Sequence, residues 1–297
     1  MDIGLYLMTK KGYDVLTALV NNSFSGLIKF VVVGRDVNID RDYADEIRMT
    51  CKQNQIDCFE KNEKLKSTTD YCIAISWRWL IPETSSQLIV LHDSILPKYR
   101  GFAPLVNMLI NKETKIGVTA FFADKEFDRG DIILQSTTEI EYPIKIKNAI
   151  DIIALLYIDI IVKLFKDLIK GIELSTTIQN EENASYSLWL NDDDYLIDWN
   201  KSSKEILNFI NSVSAPYKGA STFVNGKEKV RILDAEIVND VQIENRHVGK
   251  ILFVTDKLPV IVCGDGLLKI TQTVSDDSHE NILPFKNFRI KLSNSYQ

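Results

Sequence analysis

Histidine is scarce in this chain: there are three in 297 residues, and His92 is the only one ahead of His247. His247 and His279 have no metal-ligand spacing. The four cysteines, Cys51, Cys58, Cys72 and Cys263, include no CxxC pair. Lying in or beside apolar runs, they read as buried thiols of a reducing compartment, with neither disulfide nor zinc expected. Positive charge is short as well, with 35 Lys and Arg against 41 Asp and Glu and a net charge of −6. That balance argues against nucleic acid as a partner and leaves room only for a local basic pocket that takes one nucleotide. The longest apolar stretches carry charges, and Met1-Asp2-Ile3-Gly4-Leu5-Tyr6 puts no basic segment ahead of an apolar one. Neither a membrane partner nor a leader is expected, and the reading is cytoplasmic.

What is present is alternation of strands and helices. Ile3 to Met8 reads as a strand, Thr9-Lys10-Lys11-Gly12 as its loop and Tyr13 to Val20 as the start of a helix. Leu27 to Val33, Ile56 to Phe59, Tyr71 to Ile75 and Leu88 to Leu91 follow as strands, with a helix over Tyr43 to Gln53. Gly117 to Phe122 and Ile132 to Ile140 are further strands, and Ile146 to Ile169 is a long helix that closes the first domain. This order predicts an α/β fold with a largely parallel sheet and helices on both faces. Polar stretches then mark a linker that holds a helix over Ser203 to Val213, and five short strands after Ser221 predict a small β-barrel or sandwich. The expected division is 1–180, 181–220 and 221–297.

His92 stands where the apolar run Leu88-Ile89-Val90-Leu91 meets a segment that Pro97 and Gly101 keep from continuing as a strand. It is therefore expected at a strand's C-terminal end, where open α/β sheets place ligands. Imidazole takes and gives a proton near neutrality, which makes His92 the leading catalytic candidate. Phe127-Asp128-Arg129-Gly130-Asp131-Ile132 sets an acid on a tight turn before a strand. Asp128 is a candidate to orient or buffer His92; the competing reading is an ordinary structural turn.

Taken together, His92-Asp93-Ser94-Ile95-Leu96-Pro97-Lys98-Tyr99-Arg100-Gly101, Gly117-Val118-Thr119 and Asp128-Arg129-Gly130-Asp131-Ile132-Ile133-Leu134-Gln135 resemble the folate-dependent formyltransferase family. Ser76-Trp77-Arg78-Trp79-Leu80-Ile81, Phe102-Ala103-Pro104-Leu105-Val106-Asn107 and Lys10-Lys11-Gly12-Tyr13 look most like the branch that formylates nucleotide-linked amino sugars. The resemblance implies a Rossmann-like domain followed by a small β-rich one. It implies that 10-formyltetrahydrofolate donates a formyl group to the amine of a 3- or 4-amino-dideoxy sugar carried on a nucleotide such as dTDP, destined for a surface polysaccharide such as O-antigen. No metal is implied, and a homodimer built through the C-terminal strands is.

In that scheme His92 moves the proton and Asp128 steadies the charged ring or holds a relaying water. The family also uses an asparagine two residues before the histidine as an oxyanion donor, and here that position is Val90. A valine side chain donates nothing, and loss of one such donor costs roughly 100- to 1000-fold in rate. Three accounts compete: protonated His92 supplies the donor, another group such as backbone or Asn107 does, or the chain is a weak or non-catalytic relative.

The resemblance assigns the pterin pocket to Trp77, Trp79 and Leu80, with core packing as the competing reading of the two rings. The loop holding Asp124 and Phe127 is a second candidate pterin wall, against a solvated loop. Lys10, Lys98, Tyr99, Arg100 and, from after the linker helix, Tyr217 are candidate contacts to the nucleotide sugar, although each of the first four, taken singly, reads as a solvated surface residue. His247 and His279 read as surface residues, and Asp192-Asp193-Asp194 as a solvated acidic turn rather than a metal site. The nearest enzymatic rival is methionyl-tRNA formyltransferase, which needs a basic face that this acidic chain lacks overall.

Overall fold

The computed structural model describes residues 1–37, 39, 41–63, 68–81 and 86–296. The chain forms two compact units. The first comprises Met1–Leu105, Thr114–Ile140 and Ala149–Leu188; the second comprises Val106–Glu113, Glu141–Asn148 and Trp189–Gln297. The break thus falls after Leu188 rather than at residue 180, and two short excursions of the first half belong to the second unit. Local composition does not signal those excursions, because membership of a unit is decided by distant contacts.

In chain order the first part contains β1 (Ile3–Leu7), α1 (Thr9–Asn21), β2 (Ile28–Val33), α2 (Ala44–Gln53), β3 (Asp57–Glu60), β4 (Tyr71–Ile75), β5 (Gln87–His92), β6 (Arg100–Gly101), α3 (Pro104–Ile110), β7 (Lys115–Phe122), β8 (Ile132–Glu139), α4 (Ile146–Ile169) and β9 (Tyr186–Ser187). Seven strands form one sheet in the order β3-β2-β1-β4-β5-β7-β8. The first five run parallel, and β7 and β8 are antiparallel. β1 is buried along its whole length and β2 at all positions but Lys29, as parallel strands covered on both faces must be. The expected α/β architecture is therefore present.

Thr9-Lys10-Lys11-Gly12 is the first turn of α1, not a loop. Gly12 lowers helix propensity, but a Cβ there would lie 3.1 Å from the Leu7 Cβ. Its absence lets the helix approach β1 closely, and that packing outweighs the local preference.

The second unit holds α5 (Ser203–Val213), β10 (Ala220–Val224), β11 (Glu228–Val238), β12 (Ile251–Thr255), β13 (Leu258–Val262), β14 (Leu267–Ser275) and β15 (Leu292–Ser293). Ser202 and Glu205 form a capping box that starts α5. The strands make an antiparallel sheet in the order β12-β13-β14-β11-β10-β15, and a bridge from Lys250 to Lys291 joins its two ends. This is the expected small β-rich domain. Asp192 is not simply solvated: Lys229 and Arg231 bond to it, in that order of effect, and hold its carboxyl down to about 2. His247 and His279 are exposed, and all four cysteines are free. No helix among the described residues is long and apolar enough to cross a membrane.

Candidate active site

β1, β4 and β5 deliver their C-terminal ends to one edge of the sheet, and the backbone just beyond them is strained. Thr9, Ser76, Tyr99 and Ala103 adopt left-handed conformations, at φ of 59°, 54°, 59° and 46°. Such conformations cost about 1–3 kcal/mol each in non-glycine residues, and surrounding contacts must offset that. Open α/β sheets place ligands at this edge, outside the carboxyl ends of the strands.

His92 ends β5 opposite Thr119 of β7 and is 9% exposed. Its Nε2 lies 2.8 Å from the Tyr99 carbonyl oxygen. A carbonyl only accepts, so Nε2 carries the proton and Nδ1 of the neutral ring holds the lone pair. Nδ1 faces Asp128 Oδ2 at 3.8 Å, longer than a direct hydrogen bond. The two residues that the sequence singled out therefore meet, with the basic nitrogen between ring and carboxylate.

Asp128 is held from several sides. It adopts φ 57° in the β7–β8 loop, and its Oδ2 accepts the Gly101 N–H at 2.7 Å. Gly101 has φ 99°, and a Cβ there would stand 2.6 Å from the Ser187 carbonyl oxygen, so glycine is required. Gln179 Nε2 donates to the Asp128 and Gly130 carbonyls, each at 2.8 Å. A Cβ on Gly130 would meet the Phe122 carbonyl oxygen at 1.7 Å. Gln179 Oε1 in turn accepts from Arg100 Nε at 3.1 Å and Nη2 at 2.8 Å.

Arg100 needs correcting from the sequence reading. It is fully buried and donates from Nη1 and Nη2 to Glu181 at 2.9 and 2.8 Å. Arg129 Nη2 reaches the same carboxylate at 2.7 Å. Bonds from Arg100 first and Arg129 second hold the Glu181 carboxyl down to about 2. With its guanidinium committed inward, Arg100 is a brace for the Asp128 loop rather than a sugar or phosphate contact. Lys10 is likewise engaged, with Asp14 at 2.7 Å and Asp151 at 3.3 Å. Tyr99 acts through its backbone: its carbonyl holds His92, and its N–H donates to Ser185 Oγ at 2.9 Å. Lys98 is exposed. Tyr217 belongs to the second unit, where its N–H bonds the Ser214 carbonyl.

The connection from His92 to Gly101 is stapled by residues to which the sequence reading gave no role. Thr119 Oγ1 donates to the Ser94 carbonyl at 2.7 Å and accepts from the Leu96 N–H at 3.1 Å. Gln135 Nε2 binds both Thr119 Oγ1 and the Leu96 carbonyl, at 2.8 and 2.9 Å. Thr119 and Gln135, each inside a motif segment, thus hold the conformation of this connection.

Val90 lies two residues before His92 on the same face of β5 and pairs with Ala74 and Phe121. It packs on an apolar layer of Tyr6, Phe30, Val32, Cys72 and Ala74, which Trp77 also covers. Trp77 meets Tyr6 and Trp79 edge to face, at centroid distances of 5.2 and 5.1 Å. Lys61 Nζ stands 3.7 Å over the Trp79 ring. Both rings thus pack as core-edge residues, whereas Leu80, Asp124 and Phe127 are exposed; Asp124 Oδ1 accepts the N–H of Lys125. Yet Thr9 Oγ1, Ser76 Oγ and Trp77 Nε1 are buried with no hydrogen-bond partner among the described residues. Leu7 pairs with Ile75, so the three atoms belong to adjoining strand ends. Buried polar atoms are nearly always satisfied, and these fit a flat heterocycle rich in donors and acceptors. Among the described residues no group of His, Cys, Asp or Glu converges as a metal site.

A family model described as formyl transferase matches residues 50–147, and one described as formyl transferase, C-terminal domain, matches residues 190–286. The methionyl-tRNA formyltransferase of Lactococcus lactis subsp. lactis (strain IL1403) is 32% identical over 179 residues, covering 60% of this chain and 55% of that protein. The match thus spans little more than half of that relative's length. The N-formyltransferase from Helicobacter canadensis, solved with folinic acid and dTDP-3-aminofucose, superposes with a TM-score of 0.68 at 19% identity, over 92% of this chain and 99% of that one. HypX from Aquifex aeolicus, in complex with tetrahydrofolic acid, does so with a TM-score of 0.62 at 17% identity, over 95% and 45%. At these identities the likeness to the solved structures is one of fold.

Proposed function

This chain belongs to the formyltransferase family in both of its domains, and we propose that it moves a formyl group from 10-formyltetrahydrofolate to the amine of a nucleotide-linked 3- or 4-amino-dideoxy sugar, with dTDP as the carrier. The observation that carries the chemistry is Nδ1 of His92 facing Asp128 at 3.8 Å. The folate, when bound, supplies the formyl carbon in activated form. The amine attacks the formyl carbon, Nδ1 accepts the proton it gives up, Asp128 stabilises the resulting imidazolium, and that proton passes to N10 of the folate as its bond to the formyl carbon breaks. The Tyr99 carbonyl holds the opposite edge of the ring, so the charged ring stays in place. Because Nε2–H is committed there and Val90 has nothing to donate, the ring offers the oxyanion a donor only after Nδ1 has taken the amine proton. The unsatisfied atoms of Thr9, Ser76 and Trp77 are assigned to ligand polar groups at the same edge, with Trp79, Leu80, Asp124 and Phe127 lining the approach.

Two observations support a sugar acceptor. The chain is acidic, at −6, which suits a small phosphate-bearing ligand better than a large polyanion. Its fold also superposes on 99% of the Helicobacter canadensis enzyme, which was solved with dTDP-3-aminofucose. A second reading, formylation of methionyl-tRNA, is favoured by the Lactococcus relative. A third, binding without turnover, is favoured by Val90. Incubating the protein with 10-formyltetrahydrofolate and either a panel of nucleotide-linked amino sugars or methionyl-tRNA, followed by mass spectrometry, separates them. A formyl mass on one sugar and none on tRNA is the expected result; formylated methionyl-tRNA alone overturns it. We further propose a homodimer acting in the cytoplasm, which a monomeric mass by light scattering contradicts.

A further inference from the structure

Directly behind His92 lies a charged cluster that the mechanism above does not use. Asp93 follows His92, and alternation along β5 sends its side chain to the opposite face of the sheet. There Lys11 of α1 bonds Asp93 Oδ2, and the Tyr157 hydroxyl of α4 bonds Asp93 Oδ1. The single proton of that hydroxyl is shared with the Leu91 carbonyl, at 3.1 Å, and Lys11 Nζ stands 5.6 Å over the Tyr157 ring. Tyr157 is 1% exposed.

The protonation states are settled by these contacts. Burial alone pushes the Asp93 carboxyl up, but the charge of Lys11, the bonds from Lys11 and Tyr157, and neighbouring His92 together bring it below the ordinary carboxylate range. Burial, then the charge of Asp93, pushes the Tyr157 hydroxyl well above its usual range. Both directions favour a hydroxyl that donates and a carboxylate that accepts. An uncompensated buried carboxylate is costly, so Lys11 is the partner that permits Asp93 to stand there.

We propose that Lys11, Asp93 and Tyr157 form a positioning network that sets the orientation and tautomer of His92. Tyr157 fixes the carbonyl of the residue before His92, and Lys11 with Tyr157 fixes the side chain of the residue after it. The backbone of His92 is thus anchored on both sides from the far face of the sheet. On the near face its ring spans only from the Tyr99 carbonyl to Asp128, and a small rotation of the β5 end would break that span. The charged group facing the ring is Asp128 from the β7–β8 loop, while Asp93, just past the strand and on the other face, is met by Lys11 from α1 and Tyr157 from α4. The catalytic part of this inference rests on His92 being the proton-transfer residue; the structural part does not.

The test uses the full chain labelled with 15N-histidine. Of three histidines, His92 is assigned by the signal lost in His92→Asn. In the parent, the neutral ring shows a protonated Nε2 and an unprotonated Nδ1. In Tyr157→Phe, which removes one hydroxyl only, and in Lys11→Met, the expected result is a shift of the His92 signals toward a mixture of tautomers, with Lys11→Arg restoring the parent spectrum. Where formyl transfer is measurable, kcat falls roughly tenfold or more while KM for both substrates stays near the parent value, an expectation set by the sensitivity of rate to sub-ångström placement. Folded variants that keep the parent His92 signature overturn the network. Should Lys11→Met fail to fold, Tyr157→Phe decides alone. A parent with no transferase activity strikes the proposed function and leaves the spectra to judge the network.

Discussion

His92 Nδ1 and Asp128 Oδ2 face each other across 3.8 Å, and each is tied to the same short segment: the ring to the Tyr99 carbonyl at 2.8 Å and the carboxylate to the Gly101 N–H at 2.7 Å. Residues 99 to 101 therefore act as a common mount, and displacing it moves both partners at once.

Replacing the carboxylate tests the pair directly. Asp128→Asn keeps the shape and the capacity to accept from Gly101 while removing the charge proposed to stabilise the imidazolium. Steady-state kinetics should show kcat lowered by roughly 100- to 10,000-fold, the usual span for general acid–base groups, with little change in the melting temperature. A kcat within a few-fold of the parent contradicts the assignment.

The mount itself can be disturbed. Gly101 combines φ 99° with a Cβ position 2.6 Å from the Ser187 carbonyl oxygen, so Gly101→Ala must shift the backbone. Stability should fall by roughly 1–3 kcal/mol, and kcat should fall with it as the N–H leaves Asp128. Urea unfolding and kinetics check both; unchanged values contradict the rigid-mount account.

Val90→Asn restores an amide donor on the face of β5 that carries His92. Turnover should rise, by up to roughly 100-fold if the new amide reaches the oxyanion. The same amide enters the apolar layer of Tyr6, Phe30 and Cys72, and stability should drop by roughly 1–3 kcal/mol. A fall in turnover contradicts the oxyanion argument.

Glu181 supplies a pH dependence with a defined sign. Its carboxyl is held at about 2 by Arg100 and Arg129, below the roughly 4.3 of an unfolded glutamate. A depressed folded value stabilises the protein fully above the unfolded value, and that contribution disappears as pH falls through the folded one. Glu181→Gln should therefore lower the melting temperature at pH 7, with the difference from the parent shrinking below about pH 4. A difference that does not change with pH contradicts the ion-pair account.

The sheet order and the place of His92 were legible because strong local signals agree. Aliphatic runs such as Leu88 to Leu91 end against Pro97 and Gly101, and period-two and helical patterns alternate along the first half. Thr9 to Gly12 was misread because a glycine signals a loop locally, whereas its value here lies in close packing against Leu7. Arg100 was misread because an arginine is usually at the surface, and the groups that bury it, Gln179 and Glu181, lie far along the chain. Lys11 and Tyr157 gave no signal for the same reason: a lysine beside another lysine and a tyrosine inside the apolar helix α4 look ordinary until the fold brings them to Asp93. The departure at Val90 was visible from the motif register alone, although the apolar layer beneath it was not.

His92 is proposed to move the proton during formyl transfer to a sugar amine. The most direct measure of that step is single-turnover formation of formylated nucleotide sugar from 10-formyltetrahydrofolate by the parent and by His92→Asn, quenched over time and weighed by mass spectrometry. The account predicts a formyl mass appearing on the sugar with the parent and almost none with His92→Asn, while both bind the donor equally well. Equal rates from the two proteins, or no formylated sugar from the parent at any time, would contradict it.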